Sequence, residues 1–163
     1  MWAGWRTEYV AAAGNGELVG TGSVFRRILE SGLPDEETYI VWRGETVFAI
    51  LNAYPYTSGH VLVMPYREVA ELEDLDAAEA AELWAATREG VVAVKRAYGA
   101  HGVNVGMNLG EAAGAGVPSH LHVHVLPRWS ADSNFMTAVA ETRVLPESLP
   151  ATWAKVRDAW PAG

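Results

Sequence analysis

The hydrophobic rhythm of the chain changes several times along its length. Residues 38–42 and 46–52 are rich in β-branched and aromatic side chains and flank Arg43-Gly44-Glu45, the pattern of a β-hairpin. Residues 53–59, AYPYTSG, carry loop chemistry, and 60–65, HVLVMP, read as a short apolar strand stopped by Pro65. Residues 102–108 predict another strand and 109–118 a loop of small residues. Residues 119–126 predict a strand closed by Pro127, and FMTAVAETRVL, beginning at Phe135, one more. Between these runs the period becomes helical. Asp76 and Glu79 form a capping box, and Ala80, Trp84, Thr87, Val91, Val94 and Tyr98 recur on one face. Gly99 supplies the stop, and Trp84 and Tyr98 are expected in the core. Residues 24–30 predict one or two helical turns, and 148–160 a terminal helix with Pro150 near its start. Strands in hairpin order with one long helix predict an α+β domain on an antiparallel sheet.

Composition narrows the function classes. The 163 residues suit one domain, and 50% hydrophobic with 20% charged residues is an ordinary globular mix. A formal charge of −8 disfavours nucleic acid and anionic membranes as partners, while leaving room for a small anionic ligand in a donor-rich pocket. There is no cysteine, which excludes disulfides, thiolate metal sites and thiol redox chemistry. No apolar run approaches the roughly 20 residues that span a bilayer. The N-terminal MWAGWRTEYV lacks secretory-signal character, so the cytoplasm is the expected location.

Three of the five histidines fall in HLHVHVL, residues 120–126. Strand alternation puts His120, His122 and His124 on one face and Leu121, Val123 and Val125 on the other. Three readings fit such a row. Buried structural imidazoles each need a hydrogen-bond partner. A zinc site has two ligands at His-x-His spacing, but the third and fourth are missing nearby, with Glu111 and Asp132 across loops. A nucleophilic site uses a neutral imidazole, oriented by an acceptor at its other nitrogen, with flanking donors for phosphate oxygens.

HLHVHVL resembles the His-φ-His-φ-His-φ-φ signature of the histidine triad (HIT) family of nucleotide hydrolases and transferases. LNAYPYTSGHVLVMPYREVAELEDL (51–75) and GMNLGEAAG (106–114) are similar to that family as well, so the resemblance covers about residues 23–136. HLHVHVLPRW with Asn134-Phe135 looks closer to the bacterial diadenosine polyphosphate phosphorylase and hydrolase branch than to the phosphoramidases. The resemblance implies a sheet of about five antiparallel strands packed with one long helix and a short C-terminal helix. Residues 1–22 would be an irregular N-terminal extension, 23–136 the HIT domain, and 137–163 a C-terminal extension packed on it. It also implies a homodimer. His122 would attack the α-phosphorus and form a nucleotidyl-histidine. His124 would donate to the α-phosphate oxygens. His120 would fix the tautomer of His122 through its carbonyl, and His60 would bond the first triad histidine, His120. Asn52 falls on the ribose contact, and its plain alternative is a strand-end turn residue. Asn108 and Gly116 fall near the phosphates. Val24, Phe25, Ile28, Ile50 and Ala53 fall on the base slot, each equally explicable as core. His101 matches nothing in the motif and reads as a surface or structural residue.

Two departures from the family stand out. Where many bacterial members carry a Cys-x-φ-Cys zinc site, this chain has Ser23-Val24-Phe25-Arg26, so no structural metal is expected. The polar Gln or Ser usual just before the triad is replaced by Gly114-Ala115-Gly116, and alternation turns Ser119 away from the triad face. Backbone N–H groups of that loop remain available to phosphate. The expected activity is cleavage of dinucleoside polyphosphates, with water or phosphate as acceptor. No cofactor is required beyond a divalent cation accompanying the substrate. The alternatives are a nucleoside phosphoramidate hydrolase, a nucleotide-binding module with little turnover, and a metal-dependent enzyme.

Overall fold

The computed structural model of the protein describes residues 21–132 and 147–162. The strand expected from Phe135 and most of the N-terminal extension lie outside the described residues. In chain order the elements are α1 (Val24–Glu30), α2 (Asp35–Thr38), β1 (Ile40–Arg43), β2 (Val47–Leu51), β3 (Val61–Pro65), α3 (Ala77–Tyr98), β4 (Gly102–Met107), β5 (Val123–Arg128) and α4 (Leu149–Ala159). The five strands form one sheet in the order β1-β2-β3-β5-β4, every neighbour antiparallel. The α+β class, the single sheet, the long helix and the short terminal helix are those expected.

Strands β2 and β3 are buried at every position because both faces of the sheet are covered. On one face Val47, Ala49, Leu51, Val61, Val63, Val123 and Val125 pack under α3 and α4. On the other, Phe48, Ile50, Leu62 and Met64 pack with Phe25 of α1, with Val24 and Ile28 against them. The histidine row belongs to this second face. The helix α4 is fastened by Trp153, whose Nε1–H donates to the Ile40 carbonyl at 2.7 Å, and by Trp160, stacked 5.7 Å from Trp42.

The capping box of α3 is present. The Asp76 carboxylate accepts from the N–H groups of Ala78 and Glu79, and Glu79 accepts from the Asp76 N–H. Gly99 closes the helix in the left-handed conformation. The buried face, however, runs through Leu83, Ala86, Thr87, Gly90, Ala93 and Val94, and Trp84 is 51% exposed, contrary to expectation. The reason lies in close packing. Small residues let α3 approach both β5 and the end of α4: a Cβ at Gly90 would sit 3.3 Å from the Trp160 ring and 3.7 Å from the Val125 side chain. Tyr98 is half-buried and its hydroxyl donates to Glu147 at 2.6 Å.

The strand expected at 119–126 is shifted. It begins at Val123 and runs through Pro127 to Arg128. Its ladder with β3 extends only from Val63–Val123 to Val61–Val125. Pro127 therefore lies past the end of β3, where its missing N–H deprives no β3 group of a partner. His120 and His122 precede the ladder and need other supports.

Candidate active site

All four motif histidines are at least nine-tenths buried: His60 1%, His120 0%, His122 7% and His124 7% exposed. Each imidazole must therefore find partners, and the partners define the tautomers. Nε2–H of His120 donates to the Pro65 carbonyl at 2.9 Å, so its Nδ1 accepts from the Ser23 hydroxyl at 2.7 Å. Nδ1–H of His122 donates to the His120 carbonyl at 2.8 Å, which leaves the lone pair on Nε2. Burial pushes both imidazoles below the ordinary histidine value, so they are neutral at neutral pH.

His60 sits beside the third triad histidine, His124, and not beside His120 as expected. Val61 starts β3 opposite Val125, so the ring before it lies level with the end of the triad nearest β5. Its Nδ1 accepts from the Tyr56 N–H at 3.1 Å and from the Asn52 amide at 3.3 Å. The Tyr54 N–H donates to Asn52 Oδ1 at 2.9 Å and fixes the orientation of that amide. With Nδ1 of His60 an acceptor, its Nε2–H donates to Nδ1 of His124 at 2.9 Å. His124 consequently carries its proton on Nε2. The triad thus holds a lone pair on His122 beside an N–H on His124, with ring centroids 4.9 Å apart.

An open cleft runs over this pair. Its apolar wall is Phe25, Leu62 and Val117, and Asn52, Asn108 and Gly116 contribute polar edges. Tyr54 and Tyr56 close another side, with Tyr56 stacked 5.7 Å from His124. Phe25 stands edge-on to His120 at 5.5 Å. Of the expected base slot, Phe25 lines the cleft. Ile50 is buried in the core on this face, Val24 and Ile28 are partly buried against it, and Ala53 is exposed at a separate hollow with Ser58 and Glu147. Asn52 is both a turn residue and a cleft residue. His101 is exposed and accepts from the Ser130 N–H.

Sequence reasoning missed Tyr54, Tyr56, Leu62 and Val117. The two tyrosines stood in a segment read only as loop, and Leu62 shares strand parity with Ile50 across β2–β3. It also missed Glu68. Ser119 faces away from the cleft as expected, but because it lies in a turn, where strand alternation does not apply. The Ser119 hydroxyl donates to Glu68 at 2.8 Å and is not a cleft residue.

The residues at the family's zinc position do not suit zinc. Ser23 caps α1 and gives its hydroxyl proton to His120, and the Arg26 guanidinium pairs with Glu30 at 2.8 Å. Among the described residues no group of three or more His, Asp or Glu is arranged to hold a metal ion. Nor, among them, is any helix long and apolar enough to cross a membrane.

The HIT domain family matches this chain over residues 34–131. The chain is 48% identical over 128 residues to a protein of Mycobacterium tuberculosis named AP-4-A phosphorylase, covering 78% of this chain and 66% of that protein. It is 37% identical over 93 residues to the bis(5'-nucleosyl)-tetraphosphatase (asymmetrical) of Schizosaccharomyces pombe, covering 57% of this chain and 50% of that one. The chain thus spans less than two thirds of the length of either relative. A zinc-bound histidine triad family protein from Mycobacterium smegmatis shares the fold, with a TM-score of 0.69 and 26% identity, over 85% of this chain and 92% of that structure.

Proposed function

The chain belongs to the HIT family, and from that premise we propose that it cleaves dinucleoside polyphosphates at the α-phosphate through a nucleotidyl-His122 intermediate. The observation that carries this reading is the 2.8 Å bond from His122 Nδ1–H to the His120 carbonyl, which leaves Nε2 unprotonated on a buried, neutral ring. In the first step the Nε2 lone pair forms a bond to the α-phosphorus, and the bond to the bridging oxygen breaks. The nucleoside polyphosphate leaves with that oxygen. Nε2–H of His124 donates to the α-phosphate oxygens as their charge grows. Water or inorganic phosphate then attacks the same phosphorus and frees His122. Asn52 contacts the ribose, Asn108 and Gly116 the phosphates, and Phe25 the base, with Val24, Ile28 and Ile50 packed with it.

The names of both relatives support the substrate class. No cofactor is required in this reading; a divalent cation enters only with the polyphosphate. A homodimer is supported by β4, which among the described residues pairs only with β5 and exposes Val105. A cysteine-free composition suits the reducing cytoplasm.

Product analysis of diadenosine tetraphosphate, with and without phosphate, tests the reading. ADP with ATP only when phosphate is added identifies a phosphorylase, and AMP with ATP in its absence identifies a hydrolase. No cleavage in either condition rejects the proposal. Full turnover by His122→Ala or His122→Asn rejects the nucleophile.

A further inference from the structure

His120 and His122 lie outside the strand ladder, yet the His120 carbonyl must stay in place to hold the proton of His122 on Nδ1. The end of β3 and the segment that follows it hold this stretch. The Pro65 carbonyl accepts from the His120 ring, and the Val69 carbonyl accepts from the Leu121 N–H at 2.6 Å. Between them, the Glu68 carboxylate binds both sides of His120. It accepts from the Ser119 hydroxyl at 2.8 Å, and from the Ser23 N–H with both oxygens at 3.0 Å. Ser23 in turn gives its hydroxyl proton to His120 and accepts from the Arg26 N–H as the cap of α1.

The backbone opposite is shaped to this carboxylate. Gly22 has φ +92°, and a Cβ there would lie 2.6 Å from Glu68 Oε2. The Ser23 N–H, followed by the Ser119 hydroxyl, holds Glu68 below the usual carboxylate range, so both oxygens accept at neutral pH.

We propose that Glu68 is a positioning residue for the nucleophile: by tying Ser23 and Ser119 together around His120, it fixes the carbonyl that sets the tautomer of His122. The assignment of chemistry rests on the function proposed above, while the claim about the tautomer does not. Glu68 touches no cleft group, so its loss acts on the readiness of His122 more than on nucleotide binding.

The test compares wild type, Glu68→Ala, Glu68→Gln and Ser119→Ala. Glu68→Ala is expected to lower kcat on diadenosine tetraphosphate about tenfold or more, with KM changed by less than about threefold, the scale of an orienting partner. Glu68→Gln, whose amide oxygen still accepts from Ser23, recovers most of the loss. Imidazole 15N NMR is expected to show His122 as the Nδ1–H tautomer in wild type and as a mixture in Glu68→Ala. Should Glu68→Ala not fold, Ser119→Ala removes one anchor only, with an expected drop in kcat of about three- to fivefold. Wild-type kcat and an unchanged His122 tautomer in the folded variants overturn the positioning role. A wild-type protein that leaves diadenosine tetraphosphate intact overturns the proposed function instead, and the NMR comparison still decides Glu68.

Discussion

Nε2 of His60 lies 2.9 Å from Nδ1 of His124, and this contact determines which side of His124 carries a proton. The direction is set one step further back, by the Tyr56 N–H that donates to Nδ1 of His60. Replacing His60 by Ala removes the donor and releases the second tautomer of His124. We expect kcat to fall by about 10- to 100-fold, with a smaller change in KM, as for other partners that orient a reacting group. Steady-state kinetics across substrate concentration separate the two effects. An unchanged kcat excludes the relay from His60.

His124→Ala removes the N–H itself. A preorganised donor of this kind contributes about 10²–10³-fold to kcat, so turnover should drop on that scale while AMP affinity stays within a few-fold of wild type. Calorimetric titration with AMP, paired with turnover measurements, checks both halves. A fall in AMP affinity with kcat unchanged assigns His124 to ground-state binding instead.

Much of this site was legible because its chemistry is written in one alternating heptapeptide, and alternation survives small errors in strand ends. His122 and His124 line one cleft, with His120 buried behind them, although the strand starts three residues after His120; Phe25, Asn52, Asn108 and Gly116, which line the same cleft, were expected from the family resemblance and not from alternation. The partner of His60 was not legible, since pairing depends on the register of β3 against β5 and no local pattern records it. The Glu68 contacts join residues 45 and 51 positions apart, through loops whose course no periodicity describes. Helix α3 shows a different failure. Its period is right and Thr87 and Val94 belong to the buried stripe, but the stripe is rotated from the expected face through Ala80, Trp84, Val91 and Tyr98 toward Leu83, Ala86, Gly90 and Ala93.

That correction has its own test. Trp84 is 51% exposed, so Trp84→Gln on α3 should change stability by no more than about 0.5 kcal/mol. Leu83→Ala, at a fully buried neighbour, should cost about 2–5 kcal/mol through the cavity it leaves. Urea unfolding of the two variants measures the contrast. A large loss in Trp84→Gln would point to a partner covering that side of the helix.

Stability should decline in two stages as pH falls. His120 and His122 are neutral when buried, with values depressed below 6.5 by desolvation, while the unfolded chain takes up protons at about 6.5. Below that pH the unfolded state binds protons that the folded state refuses. Each group then lowers the unfolding free energy by up to about 1.4 kcal/mol per pH unit, until its own folded value is reached. Glu68 and Glu79 behave differently. Their folded values lie below 4.5, mainly because Ser23 and Arg67 donate to them, so their contribution persists above 4.5 and disappears only at more acid pH. Urea midpoints from pH 8 to 3.5 should therefore hold steady to about 6.5, fall once, and fall again below 4.5. His122→Asn removes one of these two depressed imidazoles and should flatten the first decline without touching the second. A wild-type midpoint that stays level from pH 6.5 to 5 would mean that these imidazoles take up protons equally in the folded and unfolded chains.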